Sequence, residues 1–382
     1  MRLIDCHNVD DFRRLARQRL PWPVFDYIDG AADDEVTRRR NTAAFDDVDL
    51  VPDVLAGVAD IDLSTTIMGK RTPLPLMLSP TALQRIFFWQ GERAVGRAAE
   101  KFGLWFGISS LATVSIEEIG ATISSPKLFQ LYVHKDKGLN RSMIERCQAA
   151  KFDAIALTVD TIVSGKRERC ARSGFTSPPR FTASSALSYA AKPRWALNYL
   201  LREKFSLPNL DTHVSEGTGE AVSIANYFNT MLDQSMNWKT AETIRSDWGG
   251  TFCLKGVMSV ADARRAVDIG ADAIMVSNHG GRQLDGSRSP FDQIEEIVDA
   301  VGGEIEIICD GGVRRGTHVL KALCAGATAA SGGRMYLYAL AAAGQPGVER
   351  ALTIMQDELV RGAKLMGITK PEHLNRDRLR RR

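Results

Sequence analysis

Residues 273–285 read AIMVSNHGGRQLD: an apolar run, Ala273 to Val276, stops abruptly in Ser277, Asn278, His279, two glycines, Arg282 and Gln283. A histidine and an arginine three residues apart, hinged by glycine, have two readings. They are either parts of a polar turn, or a proton acceptor and a fixed cation that the strand delivers to one site. An imidazole exchanges a proton near neutral pH, and a guanidinium grips a carboxylate through two parallel hydrogen bonds. The second reading is therefore acid–base chemistry on a small anion. Other stretches carry groups of the same kind. Asp160 closes AIALTVD (154–160), as a helix N-cap or as the carboxylate partner of a histidine. Lys255 closes the apolar part of TFCLKG (251–256), and either snorkels to solvent or brings positive charge to a neighbouring group. DGGVRRG (310–316) and SGGR (331–334) join glycine amides to arginines ahead of helical patterns. That combination suits a phosphate, with plain turns as the alternative.

Such groups act together only if the elements behind them converge. Eight short apolar runs end in polar or glycine-rich clusters: 74–82, 104–110, 127–133, 154–160, 251–256, 273–280, 304–312 and 327–333. Between them lie helical patterns such as GERAVGRAAEKFG, SVADARRAVDIGA and RRGTHVLKALCAGA. Buried runs alternating with helices are the signature of parallel strands covered on both faces. Eight units specify a (β/α)8 TIM barrel, whose active sites form at the C-terminal strand ends. Every one of those ends is polar here. The expected organisation is one domain over 1–382, with a helical leader at 1–73 and a barrel at 74–382. An insert at about 174–232 follows the fourth strand and is rich in Pro, Ser, Asn and aromatic residues. It reads as a lid, a disordered segment or an interfacial helix.

Composition narrows the classes. The net charge is +3 with acids and bases interspersed, which argues against a nucleic-acid footprint. The one concentrated basic run, RDRLRRR at the C-terminus, reads as a frayed, solvated tail. Six scattered cysteines show no metal-like spacing and fit reduced structural thiols of a cytoplasmic protein, so no metal is expected. No signal-peptide pattern opens the chain, and no uncharged stretch reaches the about 18 residues that a spanning helix needs.

SNHGGRQLD, with LTVDT and GKRE, QLYV, SPTA and DGGVRRG, resembles the FMN-dependent L-2-hydroxy acid oxidase/dehydrogenase family. Its members include glycolate oxidase, lactate oxidase, lactate dehydrogenase of the cytochrome or quinone type, and mandelate dehydrogenase. The resemblance runs from FDYIDGAADDE at 25–35 through LAAAGQPGVERAL at 340–352. It implies His279 as catalytic base with Asp160 as its partner, and Arg282 and Tyr27 on the substrate carboxylate. Tyr132 and Arg167 would stand near the reacting carbon or the carboxylate. FMN would contact Pro80, Thr81 and Ala82, with Ser109, Gln130 and Thr158 lining it. Lys255 would sit by the N1/O2 edge and Ser277 by the ring or ribityl chain. The phosphate would fall to Asp310, Gly311, Gly312 and Arg314, and to Gly333 and Arg334.

The implied reaction oxidises an L-2-hydroxy acid, L-lactate first, to the 2-oxo acid and passes electrons to oxygen, a quinone or a cytochrome. The resemblance also implies a homo-tetramer in the cytoplasm, with peripheral contact of 181–210 at the inner face of the membrane. Leu111 stands where plant-type glycolate oxidases carry tryptophan. RIFFWQGE (85–92) places Phe87, Phe88 and Trp89 where a substrate side chain would lie, or where they simply pack. A larger apolar or aromatic hydroxy acid is therefore one alternative. A flavin barrel with non-redox or peptide-tailoring chemistry is another, and a flavin-binding protein without activity a third.

Overall fold

The computed structural model describes residues 1–175, 182–210 and 230–382. Three helices open the chain: α1 (Val9–Arg19), α2 (Trp22–Asp29) and α3 (Val36–Ala43). Asn8 caps α1 by accepting from the Asp11 amide, and Pro23 sits in the first turn of α2, where a missing N–H costs nothing. The long helical pattern of the leader is thus split at Gly30–Glu35. The leader also contains strands that its periodicity does not signal: β1 (Val48–Leu50), β2 (Thr65–Ile67) and β3 (Lys70–Thr72).

The barrel strands are β4 (Leu76–Thr81), β5 (Trp105–Ser109), β6 (Lys127–Leu131), β7 (Ala154–Thr158), β8 (Thr251–Val257), β9 (Ala273–Ser277), β10 (Glu306–Asp310) and β11 (Ala329–Gly332). They close in the order β10-β11-β4-β5-β6-β7-β8-β9, all parallel, as the eight apolar runs require. Most strand residues are buried because helices cover the outer face and side chains fill the inner one. The β2–β3 hairpin closes the end away from the polar strand termini. Ile67 and Met68 are buried there against Met77, Trp105, Leu128, Met275 and Ile308. Each such side chain taken out of water contributes about 1.5–3 kcal/mol. At the other end, β4 shifts register against β5 between Leu78 and Thr81. Pro80 is tolerated in a central strand at that irregularity, which turns Thr81 and Ala82 toward the barrel mouth.

Two regions depart from the sequence reading. The basic tail is not frayed: β12 (Leu379–Arg381) pairs antiparallel with β1, and Leu379 is buried. Its arginines find fixed partners in Asp299 for Arg376, Asp53 for Arg378 and Asp49 for Arg382. The acids that hold the tail are dispersed along the chain, so its own composition gives no sign of them. The insert lies partly outside the described residues, at 176–181 and 211–229. Its described part holds two helices, Ala183–Ala190 and Pro193–Leu201. Trp195 Nε1 donates to the Ile86 carbonyl at 2.8 Å, and the Trp22 amide donates to Ser188 Oγ at 2.9 Å. These two helices therefore rest on the leader and on the loop after β4.

Leu379→Ala removes the apolar anchor of β12 and is expected to cost about 2 kcal/mol, read as a lower urea midpoint; an unchanged midpoint would mean that the tail contributes nothing to stability.

Candidate active site

A cleft of about 940 Å³, counting the open space at its mouth, lies at the C-terminal ends of the barrel strands. Beneath it runs a belt of hydrogen-bonded polar side chains, one from nearly every strand. Ser109 Oγ donates to Gln130 Oε1 at 2.7 Å, and Gln130 Nε2 donates to Thr158 Oγ1 at 2.7 Å. Register makes this possible, since Ser109 lies opposite Gln130 and Thr158 opposite Lys255 in the parallel ladder. On the far side, Lys255 Nζ donates to Asp310 Oδ2 at 2.6 Å and to Ser277 Oγ at 3.0 Å. Ser277 and Ser79 hydroxyls donate to the same carboxylate, at 2.8 and 2.7 Å. Burial alone would discharge Lys255, but Asp310 and Asp160 outweigh it and raise its pKa. The lysine thus stays cationic and does not snorkel to solvent. Asp310 is held low by Lys255 against its own burial.

His279 projects from the loop after β9. Its Nδ1 lies 3.2 Å from Asp160 Oδ1 and its Nε2 lies 3.4 Å from the Tyr132 hydroxyl. Burial lowers the imidazole pKa below its ordinary 6.5, while the Asp160 carboxylate pulls it back up. Burial would raise Asp160, yet the histidine and Lys255 hold it below its usual value. At neutral pH the pair is a neutral imidazole, with Nδ1–H donated to a carboxylate and the Nε2 lone pair turned to Tyr132. The Asp160 side chain is therefore a histidine partner. Its Oδ2 is buried with no hydrogen-bond partner among the described residues. Tyr132 is pushed upward by burial and so remains a phenol.

Four arginines reach the cleft: Arg167, Arg282, Arg314 and Arg334. None forms an ion pair with a carboxylate among the described residues. Burial lowers the pKa of Arg282 and Arg314, and lowers that of Arg334 to about 9, with neighbouring guanidiniums adding to the effect. Main-chain carbonyls are their substitutes. Arg282 Nη1 donates to the carbonyls of Tyr27 (2.7 Å) and Gly30 (3.0 Å). Arg334 donates to those of Ile28 (2.9 Å), Gly30 (2.7 Å) and Gly280 (2.8 Å). Arg167 Nε is buried without a partner among the described residues. The Tyr27 ring lies under both Arg282, at 4.8 Å from its centroid, and Arg167, at 5.7 Å. Half-buried cations paired only with dipoles are costly and favour bound anions.

The loop after β10 is drawn tightly against α3 at the edge of the same cleft. Gly312 has φ +75°, and a Cβ there would come within 1.8 Å of the Asn41 carbonyl oxygen. No other residue fits a backbone drawn that close to α3. Arg314 and the Gly333 end of β11 border the same space.

The expected residues are therefore largely brought together, with distinctions that strand ends alone do not give. Tyr27, Pro80, Thr81, Ala82, Ser109, Gln130, Tyr132, Arg167, Lys255, His279, Arg282, Asp310, Gly311, Gly312, Arg314, Gly333 and Arg334 line the cleft. Thr158, Asp160 and Ser277 do not. They stand behind Gln130, His279 and Lys255 respectively, as hydrogen-bond partners. Thr158 and Ser277 hydrogen-bond to Gln130 and Lys255, which line the cleft. Asp310 lines the cleft with both carboxylate oxygens already engaged, by Ser79, Lys255 and Ser277. Phe87, Ile28 and Leu337 also line the cleft and carried no sequence signal beyond apolarity. Asp29 was missed altogether. It is fully buried and its carboxylate accepts from Arg13, Arg38, Arg169 and Tyr338.

Comparison with known proteins gives a consistent result. The FMN-dependent dehydrogenase family matches residues 16–381. An L-lactate dehydrogenase of Yersinia pestis (strain Pestoides F) is 39% identical over 372 residues, 97% of each chain. Among solved structures, the monotopic membrane protein (S)-mandelate dehydrogenase is 33% identical with a TM-score of 0.94, covering 99% of this chain and 100% of that one. A mandelate oxidase is 34% identical with a TM-score of 0.84, over 98% of both chains. The residues present fit the cofactor of that family: an arginine-flanked glycine cradle for its phosphate, and a buried lysine cation over a polar belt for its flavin.

Behind the cleft, the Asp29 carboxyl is held well below its ordinary 3.8, because its arginine partners and Tyr338 outweigh burial. Its contribution is therefore complete above pH 3.8 and is lost as pH falls below that value. Asp29→Asn is expected to cost about 3–5 kcal/mol at neutral pH, with the gap to the unmodified protein closing in acid. Urea unfolding at neutral and acid pH measures this, and a gap that does not change with pH would contradict it.

Proposed function

The chain belongs to the FMN-dependent dehydrogenase family, and from that premise we propose that it oxidises L-lactate to the 2-oxo acid, with His279 as the base. The oxidation of an L-2-hydroxy acid with FMN follows from the family and its lactate and mandelate relatives. The observation that carries the assignment of residues is the histidine–carboxylate pair facing two guanidiniums that have no carboxylate of their own.

In this reading the substrate carboxylate is held by Arg282 and Arg167, with the Tyr27 hydroxyl beside them. The two guanidiniums repel one another until an anion arrives. Substrate binding therefore draws on charge already buried and oriented, and little reorganisation is left for the reaction itself. His279 accepts one proton at Nε2, and Asp160 stabilises the imidazolium formed. Tyr132, a phenol within reach of Nε2, donates toward the substrate oxygen. Bound FMN would supply the acceptor for the two electrons that leave the hydroxyl-bearing carbon and for the second proton lost with them. Pro80, Thr81, Ala82, Ser109 and Gln130 would hold its ring, Lys255 would face the edge that gains negative charge, and Gly312, Arg314, Gly333 and Arg334 would hold its phosphate.

A second substrate reading rests on Phe87 and Leu111, which give the cleft an apolar wall. That wall supports a larger or aromatic 2-hydroxy acid. The electron acceptor is oxygen, a quinone or a cytochrome, and assembly as a homo-tetramer belongs to the same reading.

Purified protein is expected to be yellow and to bleach anaerobically with L-lactate or an aromatic L-2-hydroxy acid, and the faster of the two identifies the substrate class. His279→Ala should retain FMN and lose on the order of 10²–10⁴ in kcat. The acid limb of kcat/KM should lie below pH 6.5, since the imidazole is depressed. Asp160→Asn removes the group that raises it, so the limb should move further to acid while kcat falls. Turnover that survives His279→Ala would refute the assignment of the base.

No helix among the described residues is long and apolar enough to cross a membrane. Leu187, Leu197, Tyr199 and Leu201 are nonetheless exposed on the helices of the insert, in company with the exposed Arg194 and Lys204. Apolar side chains flanked by basic ones suit a lipid interface, and the same reading places 181–210 on the inner face of the membrane in the cytoplasm. Activity should co-sediment with anionic vesicles and lose that behaviour in Leu197→Asp/Leu201→Asp. Co-sedimentation that the substitutions leave unchanged would reject the insert as the contact.

A further inference from the structure

The loop that carries His279 is held in an unusual conformation from outside the barrel. His279, Gly280 and Gly281 have φ of +59°, +67° and +74° in succession. Glycine adopts this left-handed region freely, but histidine does so only where its surroundings enforce it. Three local bonds contribute. The His279 amide donates to Ser277 Oγ at 3.2 Å, and the Gly281 amide donates to the Asn278 carbonyl at 3.0 Å and to its Oδ1 at 3.1 Å. The turn is therefore built around the side chain of Asn278, whose Nδ2 donates to the Arg288 carbonyl at 3.0 Å and whose Oδ1 is reached from the leader by Asn41 alone among the described residues. Asn41 Nδ2 donates to Asn278 Oδ1 and Asn278 Nδ2 donates to Asn41 Oδ1, both at 2.7 Å. Both residues are buried. A Cβ on Gly281 would lie 2.6 Å from the Arg38 amide, so the loop also packs directly on the backbone of α3.

The same helix reaches the phosphate cradle. Gly312 packs on the Asn41 carbonyl, and Thr42 Oγ1 donates to the Gly312 carbonyl at 3.2 Å. Just beyond α3, Phe45 stacks on His318 at 4.4 Å, and the Arg314 amide donates to His318 Nδ1 at 3.3 Å. One leader helix thus braces both the histidine loop and the anion cradle.

We propose that Asn41 is a positioning residue for the reaction: through its reciprocal amide pair with Asn278 it locks residues 279–281 in the left-handed turn that aims His279 Nε2 at the substrate. This rests on His279 being the base. Arg282, three residues along the same loop, is anchored independently by the carbonyls of Tyr27 and Gly30. Loosening the turn therefore misplaces the base more than the carboxylate anchor. The signature is a fall in kcat with little change in KM and full flavin content.

The experiment is a double-mutant cycle on the FMN-loaded full chain with Asn41→Ala and Asn278→Ala, in which kcat, KM, the pH profile of kcat/KM and flavin content are measured together. Asn41→Ala is expected to lower kcat on the order of 10-fold or more and to displace the acid limb, at unchanged flavin content. Asn278→Ala should do the same, and the double variant should be no worse than the worse single one. If Asn41→Ala does not fold, Asn41→Ser, whose hydroxyl is too short to keep the reciprocal pair with Asn278, decides the question by the same criteria. The proposal is overturned if kcat per bound flavin and the acid limb stay as in the unmodified enzyme, or if the two losses multiply. A His279→Ala variant measured alongside separates the two readings. Turnover that survives it removes the base, whereas its loss together with indifference to Asn41 removes only the positioning role.

Discussion

The C-terminal turn of α2 is the point on which the rest of the site depends. A helix leaves its last carbonyls without intrahelical partners, and they carry the negative end of its dipole. Here those carbonyls are buried at the barrel mouth and are satisfied by arginines from distant elements. The Tyr27 carbonyl accepts from Arg282, that of Ile28 from Arg334, and that of Asp29 from both Arg38 and Arg169. The Gly30 carbonyl is shared by Arg282 and Arg334, so two cleft cations are set by one oxygen. The Asp29 carboxylate completes the arrangement by pairing with Arg13, Arg38 and Arg169 on the outer side. A short helix of the leader thereby fixes cations that belong to the loop after β9 and to the start of the helix after β11.

That constraint explains why the cleft can carry so much uncompensated charge. Buried guanidiniums without acids would normally be expelled or would recruit carboxylates. Main-chain dipoles hold them in place while leaving their charge available to a ligand. The contrast with Lys255 is instructive. It is already paired with Asp310 inside the belt and remains a fixed cation in the floor of the cleft. The arginines wait for anions, and the lysine does not. A substrate carboxylate and a cofactor phosphate are the two anions that the family chemistry brings to this place.

The leader is accordingly part of the active site and not a decoration of the barrel. α2 supplies Tyr27 and the arginine-capping carbonyls, and α3 packs against both the loop of His279 and the glycines of the phosphate cradle. At the opposite end the β2–β3 hairpin seals the barrel with Ile67 and Met68.

Much of this was legible in the sequence. Eight apolar runs with helical spacers required a parallel barrel, because only strands buried on both faces read as continuous apolar segments. Polar strand ends then named most of the cleft, and His279 and Arg282 stood out by type and spacing. The tertiary structure decided what periodicity cannot encode. It set which polar residues face the ligand and which stand behind them, a matter of register that separates Gln130 from Thr158 and Lys255 from Ser277. It paired Asp160 with His279 across 119 positions and Asn41 with Asn278 across 237. It also turned the basic tail into a strand, because the acids that fix it are scattered and no local pattern reports a distant partner. Local pattern specified the elements and the chemical groups, whereas the contacts that assign each group a charge state and a direction arise only when the chain closes.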